Sequence, residues 1–309
     1  MGDPAGIGPE VLLAALLKRP TPKTSVTLLG DLRLLKHLAR RLRLRIPWSS
    51  FEWVDLANAS SISPGRIQPA AGRAAYAYLC EAVRRLREGQ ADALVTGPVS
   101  KEAFVRAGIS WRGHTEFLEK RFGSRPTMMF VTGNFRVSLV TTHWAIRQVP
   151  GRLKREEVIR VLKATHQSLI RDFGIHRPRL GLAALNPHAG EGGLFGKEER
   201  LILLPAVRKL GRSSVKGPLP VDSLMQAASK GVYDAVVALY HDQALIPVKL
   251  IGWDQAVNVT LGLPFVRTSP VHGTAFDLAR TGRANPASMH SAIELAIQLA
   301  RRRRQHSLC

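Results

Sequence analysis

The 309-residue chain is poor in residues that mark several classes of protein. It has only two cysteines, Cys80 and Cys309, which are too few for a disulfide framework and fit a reducing compartment. The N-terminal apolar run, residues 11–17, follows no basic segment and is far too short to cross a bilayer. The sequence therefore predicts a cytoplasmic protein with no membrane association.

Acidic residues are scarce as well: 23 Asp and Glu stand against 45 Lys and Arg, a formal net charge of +22. The basic residues concentrate at 33–45, 84–87, 152–160 and 301–304. Such charge attracts polyanions, so a nucleic-acid-binding protein is the non-enzymatic alternative. The first three clusters, however, show the helical spacing of solvated faces, and no helix-turn-helix, zinc-finger or aromatic RNA-binding signature occurs. We therefore expect no specific nucleic-acid partner, and attraction of a phosphorylated substrate is the preferred interpretation.

What the chain does contain is a repeated alternation of helical and strand patterns. Strands are predicted at residues 26–29, 93–95, 127–131, 137–140, 180–184, 235–239 and 256–259. Helices are predicted at residues 9–17, 32–44, 72–88, 101–107, 115–121, 155–173, 197–210, 223–231, 274–279 and 286–304. This alternation is typical of an α/β protein with a mostly parallel sheet between helical layers.

Three histidines follow predicted buried strands. His143 comes after residues 137–140, His188 after residues 180–184, and His241 after residues 235–239. Because ligands bind beyond the carboxyl ends of parallel strands, we expect the three imidazoles at one edge of the sheet, where they could form a metal site. Asp242 and Asp222 are carboxylates that could accept hydrogen bonds from the imidazole N–H groups.

Known cofactor loops give no match. Residues 2–10 are glycine-rich and precede a helix, but they lack the G-x-G-x-x-G spacing, and no G-x-x-x-x-G-K-[ST] segment occurs. A dinucleotide would therefore have to bind by another kind of loop. A phosphate site at a helix N-terminus remains compatible with the sequence.

Longer motifs carry a resemblance to a known family. They are GDPAGIGPE at 2–10, TGPV at 96–99, GHTEF at 113–117, TTH at 141–143, LNPHAGE at 185–191, YHDQ at 240–243 and NVTLGLPFVRTS at 258–269. Together they closely resemble the 4-hydroxythreonine-4-phosphate dehydrogenases of vitamin B6 synthesis.

The resemblance implies a fold and an assembly. The fold is the two-lobed, three-layer αβα fold of the isocitrate and isopropylmalate dehydrogenases, with the active site in the cleft between the lobes. On this basis residues 1–100 and 258–309 form the first lobe, on the cofactor side, and residues 101–257 form the second. The resemblance also implies a homodimer, in which His143, His188 and His241 hold a metal across the subunit interface.

The implied reaction is an NAD- or NADP-dependent oxidation of 4-phosphohydroxy-L-threonine, followed by loss of carbon dioxide. The substrate-binding positions are His114, Thr115, Lys249, Asn258 and Arg267. Arginine offers a planar fork to an anion and lysine a point charge, so Arg267 and Lys249 suit a phosphate or carboxylate. Asp242, Asp222 and Lys249 are the candidates for proton transfer. The segment around His272, Gly273, Thr274 and Asn285 resembles the adenine-binding loop of the isocitrate and isopropylmalate dehydrogenases.

Three points stay open at this stage. Three imidazoles suit Zn²⁺, with Co²⁺, Mn²⁺ and Mg²⁺ as alternatives. Related dehydrogenases with the same motifs oxidise erythronate or threonate 4-phosphate or aromatic cis-diols. Val271 replaces an aspartate of many relatives near the cofactor, which leaves the choice between NAD and NADP open.

The first motif also begins at the second residue of the chain. In the family an apolar strand precedes it. We therefore predict an upstream in-frame apolar segment of about ten residues, the length of one ordinary strand with its lead-in.

Overall fold

The computed structural model describes residues 1–17, 24–111, 113–211 and 214–307. The chain forms two compact units. Unit 1 comprises Met1–Ser124 and Leu263–Ala300, and unit 2 comprises Arg125–Gly262 and Arg301–Cys309. Residues 101–124, which the sequence analysis assigns to the second lobe, thus group with unit 1, and residues 258–262 group with unit 2.

The described part of the chain contains eleven α-helices and ten strands. In chain order the helices are α1 (Gly8–Leu16), α2 (Leu32–Arg41), α3 (Pro69–Arg87), α4 (Lys101–Arg106), α5 (His114–Phe122), α6 (Val149–Arg152), α7 (Arg155–Arg171), α8 (Leu204–Leu210), α9 (Val221–Ser229), α10 (His241–Gly252) and α11 (Ala287–Ser307). The strands are β1 (Thr27–Gly30), β2 (Glu52–Asp55), β3 (Ala93–Val95), β4 (Thr127–Thr132), β5 (Phe135–Leu139), β6 (Leu180–Ala183), β7 (Val215–Leu219), β8 (Ala235–Ala238), β9 (Val257–Leu261) and β10 (Val266–Pro270).

Helix α2 of unit 1 illustrates how the sequence sets local structure. Asp31 precedes it and accepts a hydrogen bond from the Leu34 N–H at 2.9 Å, which satisfies one of the unpaired donors at the helix start. Leucines at helical spacing form its buried face, whereas its arginines and lysine are exposed. Amphipathic burial therefore fixes the orientation of α2 and leaves a basic face in water.

The strands of unit 1 pair in parallel, β1 with β2 and β3 with β10. The first motif lies against the ends of two of them: the Met1 amino group donates to the Leu29 carbonyl at 3.0 Å, and the Asp3 N–H donates to the Pro98 carbonyl at 2.9 Å. Gly97 makes this approach sterically feasible, because a Cβ there would lie 2.5 Å from the Met1 carbonyl oxygen. The strand predicted upstream of the motif concerns residues outside this chain and stays a prediction.

The strands of unit 2 form a sheet with the order β9-β4-β5-β8-β6-β7. Strand β4 runs antiparallel to both β9 and β5, whereas β5, β8, β6 and β7 run parallel to one another. Strands β6 and β8 are buried at every position, as expected for parallel strands covered on both faces. Helices α7 and α10 both pack on β4, β5 and β8. The predicted α/β fold, a sheet flanked by helices, is confirmed.

Each predicted strand has a counterpart. No predicted counterpart exists for β2, β7, β10, α6 or α10, and the helix predicted at residues 274–279 is a single 3₁₀ turn, Phe276–Leu278. Some of the elements that were not predicted contain residues that hide the helical or strand pattern. Strand β7 contains Gly217 and Pro218, and α10 contains Pro247, residue types that ordinarily interrupt such elements.

Candidate active site

Strands β5, β8 and β6 are parallel neighbours in the unit 2 sheet. The segments that follow them therefore leave the sheet at the same edge. His143, His241 and His188 each follow the end of one of these strands within five residues. The ring centroids of His143 and His241 lie 5.5 Å apart, with an angle of 44° between the ring planes. The structure therefore brings two of the three predicted metal ligands into contact.

A pocket of about 200 Å³ lies beside this histidine pair. Five of its eight lining residues come from the chain that follows β5, and three of these five have apolar side chains. The lining residues are Thr142, His143, Trp144, Ile146, Val149, Tyr240, His241 and Asp242. Arg152 places its guanidinium 3.9 Å from the centroid of the Trp144 ring, so a cation stacks on this wall. The pocket can accommodate a small ligand against the two imidazoles.

Hydrogen bonds fix the position of His241. Its Nδ1 lies 2.7 Å from Asp242 Oδ1, so the carboxylate orients the ring and leaves Nε2 as the atom that can bind a ligand. The buried side chain of Gln243 accepts from the Leu239 N–H at 2.7 Å and donates to the Ala184 carbonyl at 2.9 Å. Gln243 thereby ties the chain that leads to His241 to the end of β6, from which His188 follows.

The segment that carries His188 has an unusual backbone. His188 and the four residues after it all have positive φ angles, between 41° and 80°. The preceding residues are held by Glu199, whose Oε1 accepts from the N–H groups of Leu185 and Asn186 at 2.9 Å each. Its Oε2 accepts from Asn186 Nδ2 at 3.0 Å. Burial raises the pKa of Glu199, but these hydrogen bonds outweigh it and hold the pKa below its ordinary value.

The donor set is suited to a divalent metal, but it is incomplete within one chain. Among the residues that the structure describes, no three His, Cys, Asp or Glu side chains form a group that could hold a metal ion. His143 and His241 supply two imidazoles, which suit Zn²⁺ and its neighbours in the first transition series. At least one further ligand has to join them for a stable site.

Unit 1 contains a different cluster, built around Arg267 on β10. This arginine is buried, with 3% of its surface exposed, and its Nη2 donates to Thr96 Oγ1 at 2.6 Å. Burial lowers the pKa of Arg267 to about 10, so the guanidinium stays charged near neutral pH. A buried cation that a hydrogen bond holds in place can accept a phosphate or carboxylate in a defined orientation.

His114, the first residue of α5, belongs to the same cluster. Burial and then the positive charges of Arg267 and the chain amino group lower the pKa of His114 well below its ordinary value. The imidazole is therefore neutral at physiological pH, with one nitrogen that donates and one that accepts. It can bind a substrate hydroxyl beside the arginine without adding a second positive charge. Thr115 follows in the first turn of α5.

The predicted cofactor loop packs against the glycine-rich motif. The Ile7 N–H donates to the Thr274 carbonyl at 2.9 Å, and a Cβ on Gly6 would lie 2.7 Å from that oxygen. His272 Nδ1 lies 3.1 Å from the Gly273 carbonyl, whereas its Nε2 is buried and has no partner among the described residues. Asn285 caps α11 by accepting from the Ala287 N–H at 2.9 Å. An unpaired ring nitrogen of this kind suits a bound ligand.

Three further predicted site residues, Asp222, Lys249 and Asn258, lie in unit 2. None of them joins the contact between His143 and His241. Asp222 is exposed in the first turn of α9, where it accepts from the Ser223 N–H at 2.7 Å. Lys249, on α10, places its Nζ 4.6 Å from the centroid of the Trp253 ring. Asn258, on β9, has a buried Oδ1 with no partner within the described ranges.

The basic clusters differ in how far ion pairs neutralise them. Arg84 and Arg85 pair with Glu81, Arg160 pairs with Glu157, and Arg303 pairs with the buried Asp172. The exposed bases on α2 form no ion pair within the described part of the chain. They are Arg33, Lys36, Arg40 and Arg41. The same part of the chain contains no helix long and apolar enough to cross a membrane.

Sequence reasoning assigned no role to Thr96, Glu199 or Gln243, which contact Arg267 or hold the ends of β6 and β8. Thr96 and Gln243 lie inside the TGPV and YHDQ motifs, and neither residue was singled out there. Glu199 has no local signal, because the backbone N–H groups that it accepts from, those of Leu185 and Asn186, precede it by 14 and 13 residues.

Comparison with known proteins agrees with this architecture. The family model described as "Pyridoxal phosphate biosynthetic protein PdxA" matches residues 22–296. The 4-hydroxythreonine-4-phosphate dehydrogenase of Geobacter metallireducens is 43% identical, over 97% of this chain and 94% of that protein.

Solved structures show the same similarity. The crystal structure of 4-hydroxythreonine-4-phosphate dehydrogenase from Klebsiella pneumoniae has a TM-score of 0.87 at 37% identity, covering 97% of this chain and 96% of that one. A terephthalate 1,2-cis-dihydrodiol dehydrogenase from Burkholderia xenovorans has a TM-score of 0.66 at 35% identity, covering 96% of each chain. The chain belongs to the PdxA family, and it is an oxidoreductase of the dehydrogenase type.

Proposed function

We propose that this member of the PdxA family oxidises 4-phosphohydroxy-L-threonine with NAD or NADP. The C3 carbon loses a hydride to the nicotinamide, and the C3 hydroxyl loses a proton to a base of the protein. The bond between C1 and C2 of the resulting 3-oxo acid then breaks, carbon dioxide leaves, and C2 takes up a proton. The product is 3-amino-2-oxopropyl phosphate, a precursor in pyridoxal phosphate synthesis. The names of the relatives and the contact between His143 and His241 support this proposal.

The substrate is an anion, and unit 1 provides the group to bind it. Arg267 is charged, buried and held by Thr96, so its fork is already oriented before the substrate arrives. The neutral His114 beside it can accept from or donate to a hydroxyl, with Thr115 next to it in the first turn of α5. We also assign Lys249 and Asn258, which lie in unit 2, to substrate binding.

We assign metal binding to His143, His188 and His241. A divalent ion bound there would stabilise the negative charge on the substrate oxygen during oxidation and on the enolate left by decarboxylation. Asp242 orients His241 through its 2.7 Å contact with Nδ1. Asp242, Asp222 and Lys249 are the groups that we assign to proton transfer. The metal is Zn²⁺ or, alternatively, Co²⁺, Mn²⁺ or Mg²⁺.

The coenzyme is assigned to the loop of His272, Gly273 and Thr274, together with Asn285. The buried and unpaired Nε2 of His272 supports the assignment, because a hydrogen bond from a bound adenosine would satisfy it. The backbone of this loop is supported by the glycine-rich motif through the Ile7 N–H. This hydrogen bond supports the loop at Thr274.

We further propose a homodimer with metal sites shared between subunits. Helix α10 begins with His241 and exposes Ile246, Leu250 and, just beyond its end, Trp253; Leu250 is 82% exposed. Leu194 and Phe195, shortly after His188, are exposed as well. Apolar side chains next to two of the proposed ligands are typical of a surface that a second subunit covers. A second subunit is also where the missing third ligand can come from.

Hybrid dimers test this arrangement. His143 and His241 are in contact within one chain, so His188 is the ligand to expect from the partner. We expect neither the His188→Ala nor the His241→Ala homodimer to bind stoichiometric Co²⁺ or turn over. Co-expression with two affinity tags and tandem purification yields mixed dimers, which retain one intact site and should recover about half of wild-type metal and activity.

The matched control is the mixed dimer of His143→Ala with His241→Ala. Both substitutions affect ligands of the same subunit, so each of its two sites lacks one ligand and no recovery is expected. Recovery in this control, or its absence in the first hybrid, would contradict the assignment of His188 to the partner subunit. Normal metal content in all single variants would reject the histidine site itself.

A second substrate class follows from the dihydrodiol dehydrogenase with similar structure. The pocket beside the histidines has Trp144, Ile146 and Tyr240 in its wall, which would suit an aromatic cis-diol. Turnover of purified enzyme with 4-phosphohydroxy-L-threonine, erythronate 4-phosphate and a dihydrodiol dicarboxylate separates the candidates. We expect the highest kcat/KM for the first compound, and a higher value for either of the others would replace it.

A further inference from the structure

The strained backbone after β6 requires an explanation that the proposed reaction does not supply. His188, Ala189 and Glu191 have φ angles of 52°, 55° and 41°, and Gly190 and Gly192 have angles of 80° and 70°. Non-glycine residues rarely adopt this left-handed region, because it brings their Cβ too close to the following carbonyl oxygen. Such strain persists only where surrounding contacts determine the conformation.

Glu199 makes those contacts. Its carboxylate accepts from two backbone N–H groups, those of Leu185 and Asn186, and from the Asn186 side chain, all within 3.0 Å. These are hydrogen bonds to a charged acceptor on a side chain that is only 5% exposed. They fix the chain directly before the left-handed segment.

A glycine lets the same carboxylate contact the segment itself. A Cβ at Gly190 would lie 2.7 Å from Glu199 Oε2, so any other residue there would displace the carboxylate. The neighbouring Glu198 has a smaller role, since its Oε2 accepts only from Asn186 Nδ2, at 2.9 Å, among the contacts that the structure describes. Glu199 therefore contacts the chain on both sides of His188.

We propose that Glu199 is the positioning residue for His188: it holds the left-handed segment in the one conformation that presents the imidazole to the metal. The inference rests on the proposed function, because it takes His188 as a metal ligand. In this role Glu199 acts on the backbone of the His188 segment and does not itself serve as a ligand. Its effect on the reaction passes through the geometry of His188 alone.

The test compares two adjacent carboxylates in the full-length protein with Co²⁺ as the probe. Glu199→Gln removes the charge that three donors share, whereas Glu198→Gln removes a charge that one side chain contacts. We expect Glu199→Gln to weaken Co²⁺ binding about 10- to 100-fold and to change the visible absorption of the bound ion, as removal of an orienting partner does. Glu198→Gln should stay within about twofold of wild type by the same reasoning.

Combination with His188→Ala shows whether the effect passes through the histidine. In the His188→Ala background, Glu199→Gln should weaken Co²⁺ binding no further. An equal additional loss there, or an unchanged affinity in the single variant, overturns the positioning role. If His188→Ala alone leaves Co²⁺ affinity unchanged, the proposed metal site fails and this inference fails with it, so the two failures are distinguishable.

If Glu199→Gln does not fold, its Co²⁺ affinity cannot be interpreted. The pair Glu199→Asp and Glu198→Asp provides a second test. Both keep the charge and shorten the side chain by one methylene. We expect Glu199→Asp to weaken Co²⁺ binding more than Glu198→Asp, with similar thermal melting of the two proteins. Equal Co²⁺ affinities for this pair would overturn the proposal.

Discussion

The cluster around Arg267 in unit 1 and the sheet edge of unit 2 that carries the three histidines are built in opposite ways. Arg267 lies on a strand, is almost fully buried and is hydrogen-bonded, and it shifts the pKa of a neighbouring histidine. His143 and His188 lie on loops and are exposed, and His241 is only partly buried at the start of a helix. One cluster is complete within its own unit, whereas the other has two imidazoles in contact and a third held elsewhere.

The difference indicates what each region needs before it can function. The buried arginine has already lost its hydration, so an anion that binds it gains a strong charge-assisted interaction. The exposed histidines keep their hydration, and in the proposed dimer they would acquire a defined geometry when a metal binds. We therefore expect substitutions in unit 1 to act mainly on substrate affinity and substitutions in unit 2 to act on metal content and assembly.

Removal of the buried cation should have the largest effect. Arg267→Ala should cost about 2–4 kcal/mol of transition-state binding, a loss in kcat/KM of roughly 30- to 1000-fold, because a desolvated charged contact disappears. Arg267→Lys should raise KM markedly, since lysine keeps the charge but lacks the fork. Steady-state kinetics with saturating coenzyme measure both.

Two controls accompany this prediction. Arg267→Met keeps much of the side-chain volume, and its circular dichroism separates loss of the anion contact from loss of the fold. Arg84→Ala removes one exposed positive charge from the same unit and should leave kcat/KM nearly unchanged. A wild-type kcat/KM in Arg267→Ala would show that substrate binding does not involve the cluster.

A smaller effect is expected where Gln243 joins β8 to β6. Gln243→Leu should destabilise the protein by about 1–3 kcal/mol, because the Leu239 N–H and the Ala184 carbonyl lose their buried partner. Urea unfolding measures the change, with the exposed Gln226→Leu as control. Co²⁺ affinity should fall in parallel, since both strand ends lead to proposed ligands. Unchanged stability would mean that backbone pairing alone holds this edge.

The same comparison explains how much of the molecule the sequence could predict. The histidine positions followed from a local rule: a buried apolar run ends and a polar residue follows. Because β5, β8 and β6 are neighbours, that rule placed His143, His188 and His241 at one edge of the sheet. Apolar runs also located each strand with sufficient hydrophobic length, including the fully buried β6 and β8.

Other features depend on partners distant in sequence. Thr96 meets Arg267 only because β3 pairs with β10, and β10 was missed since its Arg-Thr-Ser centre lacks an apolar pattern. Helix α10 was missed because Pro247 lies within it. The left-handed turns after His188 depend on a carboxylate from the chain before α8, which no local pattern encodes. Hydrogen bonds between residues distant in sequence therefore determine features of the site that the periodicity of the sequence does not predict.

The smallest effect that we expect concerns the neutral His114, and it has a definite sign. Its pKa is lowered in the folded protein by burial and by Arg267, so below the ordinary histidine value the unfolded chain binds a proton that the folded chain does not. Stability should therefore fall as the pH is lowered from 7 to 5, by at most about 1.4 kcal/mol per pH unit from this group. His114→Gln should lose stability less steeply over that range, whereas His37→Gln, which removes an exposed histidine, serves as the control. Urea unfolding of the three proteins at several pH values measures the slopes, and identical slopes for wild type and His114→Gln would contradict a lowered pKa of His114 in the folded protein.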